Sequence, residues 1–99
     1  MIVVRDIFHL KFGQSKEAVS IWKQIRQLQP STGYGKARML TDFAGGRYYT
    51  LVLESEWDSV SEWEAEMRRG MGDPQWRALY SKIVPLTESG KREILSVIP

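Results

Sequence analysis

"MIVVRDIFHLKF", residues 1–12, is the stretch whose reading decides the fold. Successive side chains of a β-strand point to opposite sides of the sheet. Read with that period, Ile2, Val4, Asp6, Phe8, Leu10 and Phe12 share one face. Val3, Arg5, Ile7, His9 and Lys11 share the other. The first face is apolar with one acid at its centre. The second mixes apolar and charged side chains and is too apolar to suit open water.

The rest of the chain supplies the cover. Gly13 and Gln14 turn it, and Ser15 is placed to cap a helix with its hydroxyl. Ala18, Ile21, Trp22, Ile25 and Leu28 then follow helical spacing and give one apolar stripe. Pro30, Gly33 and Gly35 predict a loop. A second strand is expected over Lys36 to Phe43, with a hairpin turn at Gly45-Gly46 and a third strand in "RYYTLVLES", residues 47–55. Ser59 and Glu62 form a capping-box pattern. The helix they begin has an inward stripe of Val60, Trp63 and Met67, and Gly70 is expected to end it. Asp73-Pro74 starts a further helix, because the N–H that proline lacks has no partner at a first helical position. Trp76, Leu79, Tyr80, Ile83 and Val84 form its stripe, Pro85 breaks it, and a last strand is expected over Lys91 to Ile98.

The order is β-α-β-β-α-β with the second helical region split. It predicts an α+β, ferredoxin-like fold over residues 1–99: a four-stranded antiparallel sheet with helices on one face. The apolar face of the first strand belongs under the helices, with Tyr49, Leu51 and Leu53 as its counterparts on the third strand. The opposite face carries Val3, Ile7, Tyr48, Thr50 and Val52 with Arg5, His9 and Glu54. A second copy of the chain, sheet against sheet, is the expected cover for it, with Arg5 and Glu54 as a candidate ion pair.

Composition excludes several classes of function. The chain has no cysteine, hence no disulfide, thiol nucleophile or thiolate metal site. This fits a reducing, cytoplasmic setting. Fourteen basic and twelve acidic residues are interleaved, and like charges run no longer than a pair such as Arg68-Arg69. That predicts neither a nucleic-acid footprint nor a polybasic membrane anchor. No export signal and no membrane span are expected. RNA-recognition modules share the strand order, but they stack bases on aromatics two residues apart on one face. Tyr48 and Tyr49 are adjacent and point opposite ways. One histidine and scattered acids give no transition-metal spacing, and no glycine elbow or phosphate loop is present.

The residues that could carry chemistry are few. Burial disfavours the charged form of a carboxylate, so an acid beneath helices suits proton transfer. Asp6 is that acid, unless a basic side chain or backbone N–H groups satisfy it. His9 is expected on the opposite face, where a lone histidine is either an interface residue or a base. Trp22, Trp63, Trp76 and Tyr80 lie on inward helical stripes. With Phe8 and Tyr49 they form either plain core or an aromatic-lined cleft for a flat, apolar ligand, in which Asp6 and the Tyr80 hydroxyl would be the polar groups.

The strand order, the mixed sheet face and "DPQW" (Asp73 to Trp76) opening a late helix resemble the dimeric α+β barrel superfamily. Within it the chain is most similar to the NIPSNAP-like and antibiotic-biosynthesis-monooxygenase-like groups. The resemblance implies a homodimer that binds a small apolar or aromatic molecule between helices and sheet. It also implies a monooxygenase-like oxidation in which the substrate itself supplies electrons to oxygen, so no cofactor is expected. A non-catalytic ligand-binding or structural homodimer is the alternative. Haem-degrading members of the superfamily carry an asparagine on the first strand, a tryptophan on the second helix and a histidine on the late helix. Here Asp6, Trp63 and Tyr80 fall nearest those positions, and the chain contains no asparagine. A tyrosinate can ligate ferric haem, but two of the three residues are changed.

Overall fold

The computed structural model describes residues 1–28 and 37–99. The expected loop at Pro30, Gly33 and Gly35 and the expected strand start at Lys36 lie outside them. The elements are β1 (Ile2–Leu10), α1 (Ser15–Gln27), β2 (Ala37–Thr41), β3 (Thr50–Trp57), α2 (Val60–Met71), α3 (Pro74–Ile83), a 3-10 turn at Val84–Leu86, and β4 (Thr87–Ser96). The strands form one antiparallel sheet in the order β2-β3-β1-β4. This is the expected α+β, ferredoxin-like architecture, with three helices.

Register fixes the faces. Val4 pairs with Ser55 and Ile94, Asp6 with Leu53 and Arg92, and Phe8 with Leu51 and Gly90. Cross-strand partners share a face, so Asp6 lies on the helix side with Val4, Phe8 and Leu10. The core forms there, from Leu10 and Leu51 of the sheet region, Ala18, Ile21, Trp22 and Ile25 of α1, and Ile83 of α3. Burying these side chains is the main stabilising term, at about 1.5–3 kcal/mol for each large one.

The other face carries Val3, Arg5, Ile7 and His9, paired across to Glu56, Glu54, Val52 and Thr50. Leu40 lies opposite Val52 on β2, and Leu95 opposite Val3 on β4. Among the described residues no helix packs on this face. A charged row crosses it: Glu54 accepts from Nε of Arg5 at 2.8 Å and from Nε of Arg38 at 2.6 Å.

Local details differ from expectation for physical reasons. Phe12 and Phe43 stand outside the strands and are exposed. The hairpin is a loop from Asp42 to Tyr49, which Gly45 and Gly46 turn at φ +79° and +69°. The Asp42 carboxylate accepts the Thr50 N–H at 2.9 Å and closes it. Tyr48 and Tyr49 belong to this loop, not to β3, and Tyr49 adopts φ +56°. Ser15 is the first residue of α1, whose cap position is Gln14 with no side-chain cap bond. Ser59 and Asp73 do cap as expected, accepting from the Glu62 and Gln75 N–H groups at 3.2 and 2.8 Å.

The inward stripe of α2 is Trp63, Glu66, Met67 and Gly70, while Val60 is exposed. Glu66 is buried because Arg69, one turn on, binds both its oxygens. Gly70 does not end α2 but lies within it, under the Trp76 ring. Val84 falls in the 3-10 turn and is exposed. β4 begins at Thr87 and ends at Ser96, four residues earlier and two earlier than its sequence suggests. Its polar start, "TESG", pairs with the end of β1 across a register shift at His9/Leu10.

Candidate functional site

A cleft of about 1010 Å³ opens between the sheet and the three helices. Its floor is the helix-side face of the strands: Asp6 and Phe8 on β1, Met39 on β2, Leu53 on β3, Gly90 and Arg92 on β4. Each strand reaches it with every second residue, which is why Asp6 and Phe8 both appear. Trp22 projects from α1, Trp63 and Met67 from α2, Trp76 and Tyr80 from α3.

The rings form a connected wall. Phe8 and Trp22 stack with centroids 5.4 Å apart, and Trp22 meets Tyr80 edge-on at 6.2 Å. Tyr80 stacks on Trp76 at 5.0 Å with planes 8° apart. Such contacts add about 0.5–1.5 kcal/mol each beyond burial and hold the rings in place. Gly90 makes room where Phe8 crosses β4, and Gly70 lies where Trp76 approaches α2.

Asp6 is not left in apolar surroundings. Its Oδ1 accepts from Nε of Arg92 at 2.5 Å, and the Arg92 guanidinium lies over the Trp63 ring, 5.0 Å from its centroid. The carboxylate is paired but not sealed, since it lines the cleft and its side chain keeps 20% of its exposure. The Tyr80 hydroxyl has no hydrogen bond among the described residues, and the ring is half-exposed at the cleft. The buried indole N–H of Trp22 also lacks a partner there. A buried donor without an acceptor costs free energy, and this nitrogen is closed even to water, so it lies within the wall of the cleft and not at its open surface.

Six of the eight candidate residues thus meet in one cleft: Asp6, Phe8, Trp22, Trp63, Trp76 and Tyr80. His9 and Tyr49 do not. His9 lies on the opposite face, with Nδ1 3.5 Å from the Thr50 hydroxyl. Tyr49 packs against the core and against Phe12, ring centroids 4.9 Å apart. Arg92 is the residue that sequence reasoning missed. It is the second residue of the expected last strand, Lys91 to Ile98, but its side was not read. The signal was charge: a lone acid on an apolar strand face calls for a cation on the strand beside it. Among the described residues no group of three or more metal-ligating side chains occurs, and no helix is long and apolar enough to cross a membrane.

No family model matches the chain, and no curated protein matches it either. Solved structures do. A NIPSNAP domain protein from Burkholderia xenovorans is 25% identical, with a TM-score of 0.83 over 99% of this chain and 95% of that one. A NIPSNAP family protein from Agrobacterium tumefaciens is 17% identical, with a TM-score of 0.84 over 96% and 90% of the two chains. A putative antibiotic biosynthesis monooxygenase from Chloroflexus aurantiacus is 13% identical, with a TM-score of 0.75 over 99% and 93%. The chain is therefore similar in structure to NIPSNAP domain proteins and to antibiotic-biosynthesis-monooxygenase-like proteins, and shares their ferredoxin-like α+β fold.

Proposed function

We propose that this protein is a small homodimeric, monooxygenase-like enzyme that oxidises an electron-rich aromatic molecule in the cleft, without a metal or flavin of its own. One observation carries the reading: an open, aromatic-walled cleft holds a carboxylate and an unpartnered tyrosine hydroxyl. The likeness in fold to a putative antibiotic biosynthesis monooxygenase supports it. Asp6 would take the proton that turns a phenolic substrate into an electron-rich anion, and Tyr80 would donate to the oxygen that gains charge. The anion then gives electrons to dioxygen. For 1-naphthol the balance is one dioxygen consumed, 1,4-naphthoquinone and one water formed, with one oxygen atom entering the ring. A cytoplasmic location belongs to the same proposal.

The test is oxygen uptake with 1-naphthol under labelled dioxygen. One labelled atom in the quinone, lost in Asp6→Asn and reduced in Tyr80→Phe, is the expected result. The Asp6–Arg92 pair favours a second reading, a non-catalytic ligand-binding homodimer, because a paired acid needs no reaction to explain it. Binding without turnover, unchanged in Asp6→Asn, selects that reading instead.

A further inference from the structure

The charges around the cleft are unequal. Arg26, Arg68, Arg77 and Arg92 line it, against Asp6, Glu64 and Glu88; Arg38 and Lys91 at its edge belong to the opposite sheet face, where they pair with Glu54 and Glu93. Nor do the acids cancel the surplus. Glu88 pairs outward with Arg47 at 2.9 Å, and Glu64 approaches Arg68 only to 3.8 Å. Asp6 and Arg92 cancel as a pair. Arg26 and Arg77 make no ion pair among the described residues. They donate instead to the backbone carbonyls of Ala37 at 2.7 Å and Met71 at 3.1 Å, which leaves their charge uncompensated.

Arg92 presents the most directional group. A guanidinium has five N–H donors. Only Nε is engaged, by Asp6, so both terminal nitrogens remain free of protein acceptors among the described residues. The stacked ring below on Asp6's own strand is Phe8, two residues on and so about 7 Å along the strand. Phe8 in turn stacks on Trp22. A flat ring against these aromatics would thus lie beside a cationic fork.

We propose that the ligand of this cleft is a planar aromatic anion, a carboxylate or phenolate, with its negative group at Arg92. The proposal rests on the cleft being the ligand site and narrows what it takes. A carboxylate on a guanidinium forms charge-assisted bonds about twice as strong as neutral ones. The surplus positive charge of the rim favours anions of either kind.

Calorimetry with three probes of one shape tests it: 2-naphthoate, 2-naphthamide and 2-naphthylmethylammonium. Naphthoate is expected to bind about tenfold or more tighter than the neutral amide, a gap of about 1.4 kcal/mol. The cation should bind weakest, and added salt should weaken naphthoate selectively. Arg92→Gln should bring naphthoate to within about threefold of the amide while leaving the amide unchanged. Arg92→Gln leaves Asp6 without its partner, so Asp6→Asn with Arg92→Gln is the second variant, and it should show the same loss of preference. Equal binding of naphthoate and naphthamide, or a preference that survives in the double variant, overturns the proposal and leaves the cleft as an aromatic site. Failure of all three probes to bind overturns the cleft reading as well.

Discussion

Gly90 of β4 faces Phe8 of β1 so closely that a Cβ on Gly90 would lie 2.9 Å from Cδ1 of the ring. Glycine in a strand often marks such an approach. Gly90→Ala should therefore push Phe8 off its stack with Trp22. Overpacking typically costs about 1–3 kcal/mol, partly offset by the lower unfolded-state entropy of alanine, so a net loss of about 1 kcal/mol is expected. Urea unfolding measures it, and the near-ultraviolet circular dichroism of the tryptophans should change with it. An unchanged spectrum would show that the ring yields freely.

The same pair shows why part of the molecule was legible and part was not. Alternation in residues 2–10 placed Asp6, Phe8 and Leu10 on the helix side, because a strand's side chains can only alternate. Helical spacing placed Trp22, Trp63, Trp76 and Tyr80 inward, and the cleft followed. The start of β4 was hidden, since "TESG" has no apolar alternation: Gly90 is there to make room for Phe8, and no property of Gly90 alone reveals that. Glu66 was hidden likewise. A buried glutamate on a helix stripe is legible only together with Arg69, which neutralises it. Phe12 and Phe43 misled in the opposite direction, because an apolar residue at a strand end can extend past the sheet.

Gly70 makes a contrasting case. A Cβ there would meet Nε1 of Trp76 at 3.5 Å, an ordinary contact, and the backbone is helical. Gly70→Ala should keep the fold and stabilise it by about 0.5 kcal/mol, because glycine costs more backbone entropy than alanine in a helix. A rise of a few degrees in melting temperature is the readout. A fall would mean that Trp76 needs the open space.

Glu54 links the sheet face to pH. Hydrogen bonds from Arg5 and then Arg38 hold its carboxyl below the usual carboxylate range, against the opposing effect of burial. The unfolded chain keeps the ordinary value near 4.5. The ionised form thus stabilises the fold fully above that value, and the contribution is lost as pH falls through the lowered one. Glu54→Gln should be less stable than the parent at pH 7 by about 0.2–1 kcal/mol, the range for paired charges near a surface. The difference should shrink to nothing in strong acid, where both side chains are neutral. Thermal unfolding of both proteins at matched concentration across pH 3–7 would check this, and a gap that persists in acid would remove the ion pair as its cause.

Ile7 lies at the middle of the sheet face that no described helix covers, between Val52 of β3 and Lys91 of β4. With Val3, Leu40, Val52 and Leu95 it forms an apolar field crossed by the Arg38–Glu54–Arg5 row. Apolar area of this kind is stabilised by removal from water, and a second sheet offers the same pattern in return. If two copies close over it, a carboxylate placed at Ile7 is buried where both nearby cations are already taken: its cross-strand neighbour Lys91 lies 3.7 Å from Glu93, and Arg5 is engaged by Glu54. An unpaired buried charge costs several kcal/mol, enough to separate a dimer of ordinary affinity. Ile7→Glu should therefore sediment as a single chain of 11.5 kDa at micromolar concentration, where the parent is expected to sediment at twice that mass. The substitution leaves the helix-side core untouched, so helical circular dichroism should be retained. A parent protein that sediments as one chain would remove the sheet-to-sheet dimer, while the cleft on the other face would stand.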